Sequence, residues 1–163
     1  MVINPANPIN RTGAGVMEHR REQLASRKLA LHIVEARSAA ELPAAFEAAV
    51  RGRADGLVVT ADSVFSLERR SIVARAAKHR LPTSYPSGAY VETGGLISYS
   101  TSIVAVARRT AAYVDKVLRG TKPADLPIEQ PTTFEMVLNV KTAKALGLTV
   151  PRSVLLRADH IIE

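Results

Sequence analysis

No cysteine occurs in the 163 residues of this chain. That absence removes disulfides, thiolate nucleophiles and thiolate metal sites. It does not fix the compartment, because an exported chain can also do without cysteine. Aromatic residues make up only 4%, so a core has to be built from Ala, Val, Leu and Ile. No run reaches the ~18 apolar residues that a membrane span needs. The opening MVINPANPIN has no basic region followed by an apolar stretch, so it does not read as a signal peptide. Acidic residues are in the minority, and the net charge is +7. A basic balance invites a nucleic-acid reading. Yet the pairs Arg20-Arg21, Arg69-Arg70 and Arg108-Arg109 sit among Glu and Asp, and no basic run is interleaved with aromatics for base stacking. Solvated helix faces are expected, and no nucleic-acid partner.

What the chain does have is 47% hydrophobic residues, enough for one ordinary domain with a core. Met1–Ile3 reads as the tail of a strand. Strands usually run ~5–6 residues, so the chain is expected to begin inside a larger domain. Asn4–Pro8 is a turn. Gly15–Arg27 is a charged helix, and Gly13-Ala14-Gly15 reads as its start, not a dinucleotide loop. Leu29–Glu35 alternates as a strand. Ser38 with Glu41 suits a capping box before a helix whose apolar face is Leu42, Ala45, Phe46, Ala49 and Val50. Gly56–Thr60 is short, β-branched and apolar, as for a strand covered on both faces. A helix follows with Ile72, Val73, Ala76 and Ala77 inward. Leu81–Tyr85 is a strand, Pro86–Thr93 a loop, and Leu96–Tyr99 a strand after the turn at Gly94-Gly95. Ser100, Thr101 and Ser102 offer caps for a helix to Arg119 with a stripe of Ile103, Val106, Ala107, Val114, Val117 and Leu118. Strands alternating with helices predict parallel pairing and right-handed crossovers.

In open parallel sheets, ligands gather beyond the carboxyl ends of the strands. That rule points to Asn4, Asn7, Asp62, Ser63, Tyr85, Tyr90, Tyr99 and Ser100. Asp62 could accept from a ligand ammonium group or simply favour a helix start. The three tyrosines offer flat apolar area with a hydroxyl for a small organic ligand, or half-buried packing. Ser100 to Ser102 could hold a carboxylate or cap the helix. His19, His32, His79 and His160 lack metal-ligand spacing. No nucleophile elbow, phosphate loop or dinucleotide fingerprint is present, so no metal, cofactor or catalytic set is expected.

The stretch Thr121–Pro151, TKPADLPIEQPTTFEMVLNVKTAKALGLTVP, is the most specific signal. Pro123, Pro127 and Pro131 forbid helix and hold an extended arm. Phe134–Val140 suits a strand, Asn139 can cap a short helix through Leu146, and Gly147 suits its left-handed stop. This run resembles the tail of ABC-transporter substrate-binding proteins of the tryptophan or amino-acid type, which have a type I periplasmic-binding fold. Val2–Pro8, Ala77–Pro82 and Gly94–Tyr99 fit the same pattern. So does the end, Arg157-Ala158-Asp159-His160-Ile161-Ile162-Glu163, where the family carries a closing helix.

The resemblance covers only the later part of the family's length. It implies an α/β fold, a parallel sheet sandwiched by helices: one lobe over residues 1–120, then a crossover arm, strand and C-terminal helices over 121–163 that pack on another lobe or a partner chain. It implies a non-catalytic binding component for a small amino-acid-like or aromatic solute, with an ABC permease as partner. Asn4, Asp62, Tyr85, Tyr90 and Tyr99 fall at matching strand-end loops. The family's YPFREF-like loop is Tyr85-Pro86-Ser87-Gly88-Ala89-Tyr90 here, and a SYG-like run is Ser98-Tyr99-Ser100. The family implies a periplasmic location, whereas the missing signal peptide leaves the cytoplasm open. An uncovered arm is expected to favour homo-oligomers. Two other readings stand beside this one. The first is a stand-alone, non-catalytic α/β interaction module. The second is a small hydrolase-type enzyme using Asp62 or a tyrosine as acid–base group.

Overall fold

A computed structural model describes residues 1–8 and 14–163. Among the described residues, seven strands form two parallel-rich sheets. The first pairs β1 (Val2–Ile3) with β2 (Val34–Glu35), in parallel. The second runs β3 (Leu57–Val58), β4 (Thr83–Tyr85), β5 (Ile97–Thr101), β6 (Phe134–Asn139) and β7 (His160–Ile162), in that order. A parallel bridge from Val2 to Val59 joins the two. The Thr60 backbone N–H and hydroxyl both donate to the Val2 carbonyl, at 3.2 and 3.1 Å, and hold the seam.

The helices are α1 (Ala14–Ala25), α2 (Leu42–Arg51), α3 (Ser63–Leu67), α4 (Arg69–Lys78), α5 (Gly88–Glu92), α6 (Ile103–Leu118), α7 (Val140–Ala145) and α8 (Arg152–Leu155). The step from β1 to β2 runs opposite to the step from β2 to β3, so right-handed crossovers put α1 on one side and α2, α4 and α5 on the other. The sheet is therefore mostly parallel and flanked by helices, as the alternation of elements predicts.

Register separates the two faces of the sheet, because paired residues point to the same side. One row runs Tyr85, Ser98, Val137 across β4, β5 and β6. With Leu57 and Thr83 it is wholly buried, under α4 and α5. Phe46, Phe65, Leu42, Ile72 and Tyr90 fill the space between sheet and helices. These are the faces expected of α2 and α4, except that Val50 and Ala77 sit at the edges of their stripes and are exposed.

Several expectations need correction. β6 runs antiparallel to β5: α6 leaves one edge of the sheet and an extended segment returns to that same edge, so the next strand points back. Leu29–Glu35 yields only the two-residue β2. Val58 is 49% exposed, so β3 is covered on one face, not both. The Ser38 hydroxyl makes no cap; a 3-10 turn at Ala39–Glu41 precedes α2, and only Glu41 reaches back, accepting from the Arg37 N–H at 2.9 Å. The C-terminal run holds one turn of helix, α8, and ends as strand β7 paired with β6. Gly13 lies outside the described residues.

Gly95 marks the tightest contact. A Cβ there would lie 2.6 Å from a Tyr85 ring carbon and 2.8 Å from the Tyr90 carbonyl. The Tyr85 and Tyr90 rings stack at 5.1 Å against this bare backbone. Neither neighbour is the far end of a flexible chain, so Gly95→Ala should force the tyrosine pair apart. The expected loss is about 1–3 kcal/mol, the usual result of overpacking, read as a lower urea midpoint with unchanged slope. An unchanged midpoint would contradict this packing.

Candidate functional site

The carboxyl ends of β1, β3, β4 and β5 share one edge of the sheet, and short loops leave from it. Asn4 follows β1. Its side-chain oxygen accepts from the Ala6 N–H at 3.0 Å, and its carbonyl accepts from the Asn7 N–H at 3.1 Å. That local bonding is why Asn and Pro make this turn. Asp62, after β3, is buried and has β-region backbone angles. One carboxylate oxygen caps α3, accepting from Val64 at 2.9 Å and Phe65 at 3.3 Å. The other accepts from the Asn7 amide at 2.8 Å. Asp62 thus ties two loops 55 residues apart. Burial pushes its pKa up, but the hydrogen bonds from Asn7, Asn4 and the two N–H groups outweigh this and hold it below the usual carboxylate value.

The remaining expected residues divide. Ser63 begins α3 and is exposed. Ser100 lies within β5; the residue that caps α6 is Ser102, whose hydroxyl accepts from Ala105 at 3.3 Å. Tyr85 and Tyr90 do not offer open rings, because both are buried in the core. Burial raises Tyr85 to about 12 and pushes Tyr90 up as well. The Tyr90 hydroxyl lies near Ser66 and feels the charge of Asp62, yet it has no hydrogen-bond partner among the described residues. Tyr99 is on the opposite sheet face from Ser98, exposed, and stacked on Phe134 at 5.5 Å. Asn4, Asn7 and Asp62 are therefore brought together, Tyr90 lies beneath them, and Tyr99 stands apart on the open face.

Sequence reasoning missed Phe134 as the partner of Tyr99. Only the antiparallel register of β5 and β6, which sets Thr101 opposite Phe134 and Tyr99 opposite Met136, brings them together. It also missed Thr60, whose hydroxyl closes the seam. A groove of about 730 Å³ opens at the other end of the sheet, lined by Val73, Arg80, Leu96, Lys141 and Thr142 among others. It lies at the amino ends of β4 and β5, away from the loops just described. Among the described residues no group of three or more His, Cys, Asp or Glu is placed to hold a metal. Nor is any helix long and apolar enough to cross a membrane.

In open parallel sheets, ligands commonly gather beyond the carboxyl ends of the strands. The sequence model of the family described as ABC transporter substrate binding protein matches residues 2–162, and the chain belongs to that family. Solved structures agree in fold. A conserved domain protein from Vibrio cholerae O1 biovar El Tor superposes with TM-score 0.85 at 24% identity, covering 98% of this chain and 53% of that one. An ABC domain in complex with L-Trp from Streptococcus pneumoniae gives TM-score 0.84 at 24% identity, covering 99% and 55%. A ligand-free, open substrate-binding protein with adhesive properties from Clostridium difficile gives 0.68 at 17%, covering 99% and 52%. The chain spans about half the length of each. No curated protein matches it.

The Asp62 bonds carry a pH signature. A folded pKa below the unfolded value means stability gained above the ordinary carboxylate range and lost as pH falls through the folded pKa. Asp62→Ala removes the cap and should cost about 1 kcal/mol at neutral pH. The gap between wild type and variant should then narrow as the medium is acidified below the ordinary carboxylate value of 3.8. Urea titrations across that range check this; a gap that stays constant into acid would contradict it.

Proposed function

We propose that this chain is the later lobe of a solute-binding component of an ABC uptake transporter. It binds a small amino-acid-like or aromatic solute at the carboxyl edge and presents it to a permease outside the cytoplasmic membrane. The observation that carries the reading is the Asn7–Asp62 tie, which fixes the β1 and β3 loops side by side within a chain of this family. A carboxylate at this edge, held ionised by its hydrogen bonds, suits recognition of an ammonium group. The L-Trp complex of a similarly folded domain motivates the aromatic class.

Binding, not catalysis, is proposed. A general acid or base works best with a pKa near the operating pH, and Asp62 is held the other way, below its ordinary value. The competing reading, an interaction module without solute, is favoured by the full use of both Asp62 oxygens inside the protein.

Thermal denaturation with L-tryptophan, other amino acids and small aromatic acids separates the two. A ligand at 100 times its Kd adds about 2.7 kcal/mol, a rise of roughly 5–10 °C in Tm for a domain of this size. The solute reading expects such a rise for one class and a smaller one in Asp62→Ala. No shift with any of them would favour the interaction module.

A further inference from the structure

The groove at the amino ends of β4 and β5 has two tied walls. One is α4, with Val73, Ala77 and Arg80; the other is α7, with Lys141 and Ala145. A guanidinium N–H of Arg80 donates to the Ala145 carbonyl at 3.3 Å and joins the ends of the two helices. The Thr142 hydroxyl donates to the Gly94 carbonyl at 2.9 Å and joins α7 to the turn before β5. Arg80 holds its place with φ at 52°, in the left-handed region where glycine is the usual residue after a helix. α5, α6 and α7 do have glycine there, as Gly94, Gly120 and Gly147. A side chain in that conformation is strained, and at Arg80 it supplies the groove with a cation.

The lining divides into an apolar floor and a few polar groups, the usual make-up of a small-molecule site. Leu81, Tyr85 and Leu96 come from the sheet side, Val73 and Leu146 from the helices. The volume of about 730 Å³ falls in the range of about 300–1,000 Å³ that holds small organic ligands.

The hydrogen bonds fix the polarity of what fits. The hydroxyls of Thr83, Thr93 and Thr142 line the groove, but each gives its proton to a backbone carbonyl, of Leu81, Tyr90 and Gly94, at 2.8 to 2.9 Å. Asn139 also lines it and is 5% exposed; its oxygen accepts from the Thr142 N–H at 2.8 Å. That bond identifies the other side-chain atom as the nitrogen. Among the described residues nothing accepts from it. A buried donor without a partner costs free energy, and an acceptor on a ligand removes that cost. Lys141, Glu92 and Glu163 stand at the exposed rim, so the donor held away from water is Asn139.

We propose that this groove is a second ligand site, which takes a small apolar carboxylate. The hydrocarbon body lies on the floor, and the carboxylate accepts from the Asn139 amide and faces the Lys141 ammonium. The site lies at the opposite end of the sheet from Asn7 and Asp62, and the inference does not need the solute reading.

Sodium octanoate is the probe, followed by amide chemical shifts of the full chain. Saturable shifts are expected at residues 76–81, 93–96 and 139–146, with a Kd on the order of 0.1–1 mM for a ligand this small. Asn139→Asp keeps an oxygen for the α7 cap but sets a negative charge against the carboxylate, and should weaken binding about tenfold or more. Lys141→Gln should weaken it about two- to fivefold, as for an exposed charge. Ala77→Phe, at an exposed position on the wall, should fill the space and abolish the shifts. Circular dichroism checks folding; where Asn139→Asp disturbs it, the other two variants decide. Octylammonium chloride at the same concentrations should give no saturable shift in the groove. Equal or tighter binding of octylammonium there would overturn the proposal in favour of Glu92 and Glu163 as the recognising groups. Octanoate shifts at residues 4–7 and 62–66 instead, an affinity unchanged in all three variants, or no saturation would each overturn it as well.

Discussion

Everything in this fold depends on one face of the sheet being closed. Leu57, Thr83, Tyr85, Ser98 and Val137 project from four adjacent strands into a layer filled by Phe46, Phe65, Ile72 and Tyr90. With aromatics so scarce, each ring matters: truncating a buried Phe typically costs 3–5 kcal/mol. The closed face aligns β1, β3, β4 and β5, and that alignment brings Asn4, Asn7 and Asp62 to one edge. A shift in the packing under β4 would move the loops as well, because Tyr85 ends the strand and Tyr90 sits beneath Asp62.

The edge itself uses polar groups sparingly. Asp62 has three tasks: it caps α3, fixes the β1 loop through Asn7, and contributes a buried negative charge next to the Tyr90 hydroxyl. A buried charge is tolerated only when hydrogen-bonded, and here each oxygen has a donor. The Tyr90 hydroxyl and the Ser98 hydroxyl, by contrast, lack partners among the described residues. Ser98 lies in the closed layer between Tyr85 and Val137, where a hydroxyl is a local cost to the fold. The Tyr90 hydroxyl lies near Ser66, at the end of the layer closest to Asp62.

Much of the architecture was legible in the sequence. Leu42, Ala45, Phe46 and Ala49 gave a helical stripe, Ile72, Val73 and Ala76 another, and both are buried. Asn139 caps α7 through Thr142 at 2.8 Å, and Gly147 takes the left-handed stop at φ 76°. These succeeded because capping and periodicity are local. What failed was non-local. Whether Tyr85 and Tyr90 face a cleft or a core depends on Gly95, whose missing side chain lets both rings stack inward. Antiparallel β6 depends on the arm returning to the edge it left. The apolar stripe of α6 was legible by its spacing, but Ile103, Val106, Val114, Val117 and Leu118 are all exposed.

The central claim is that the carboxyl edge around Asn4, Asn7 and Asp62 receives a small solute. Amide chemical shifts of the full chain, followed during addition of L-tryptophan and then of other amino acids and small aromatic acids, test it most directly. The account predicts that one of these moves a contiguous set of signals at residues 4–7, 62–66 and 100–102, and saturates. Movement confined to the groove lined by Arg80 and Lys141, or no saturable movement with any of them, would contradict it.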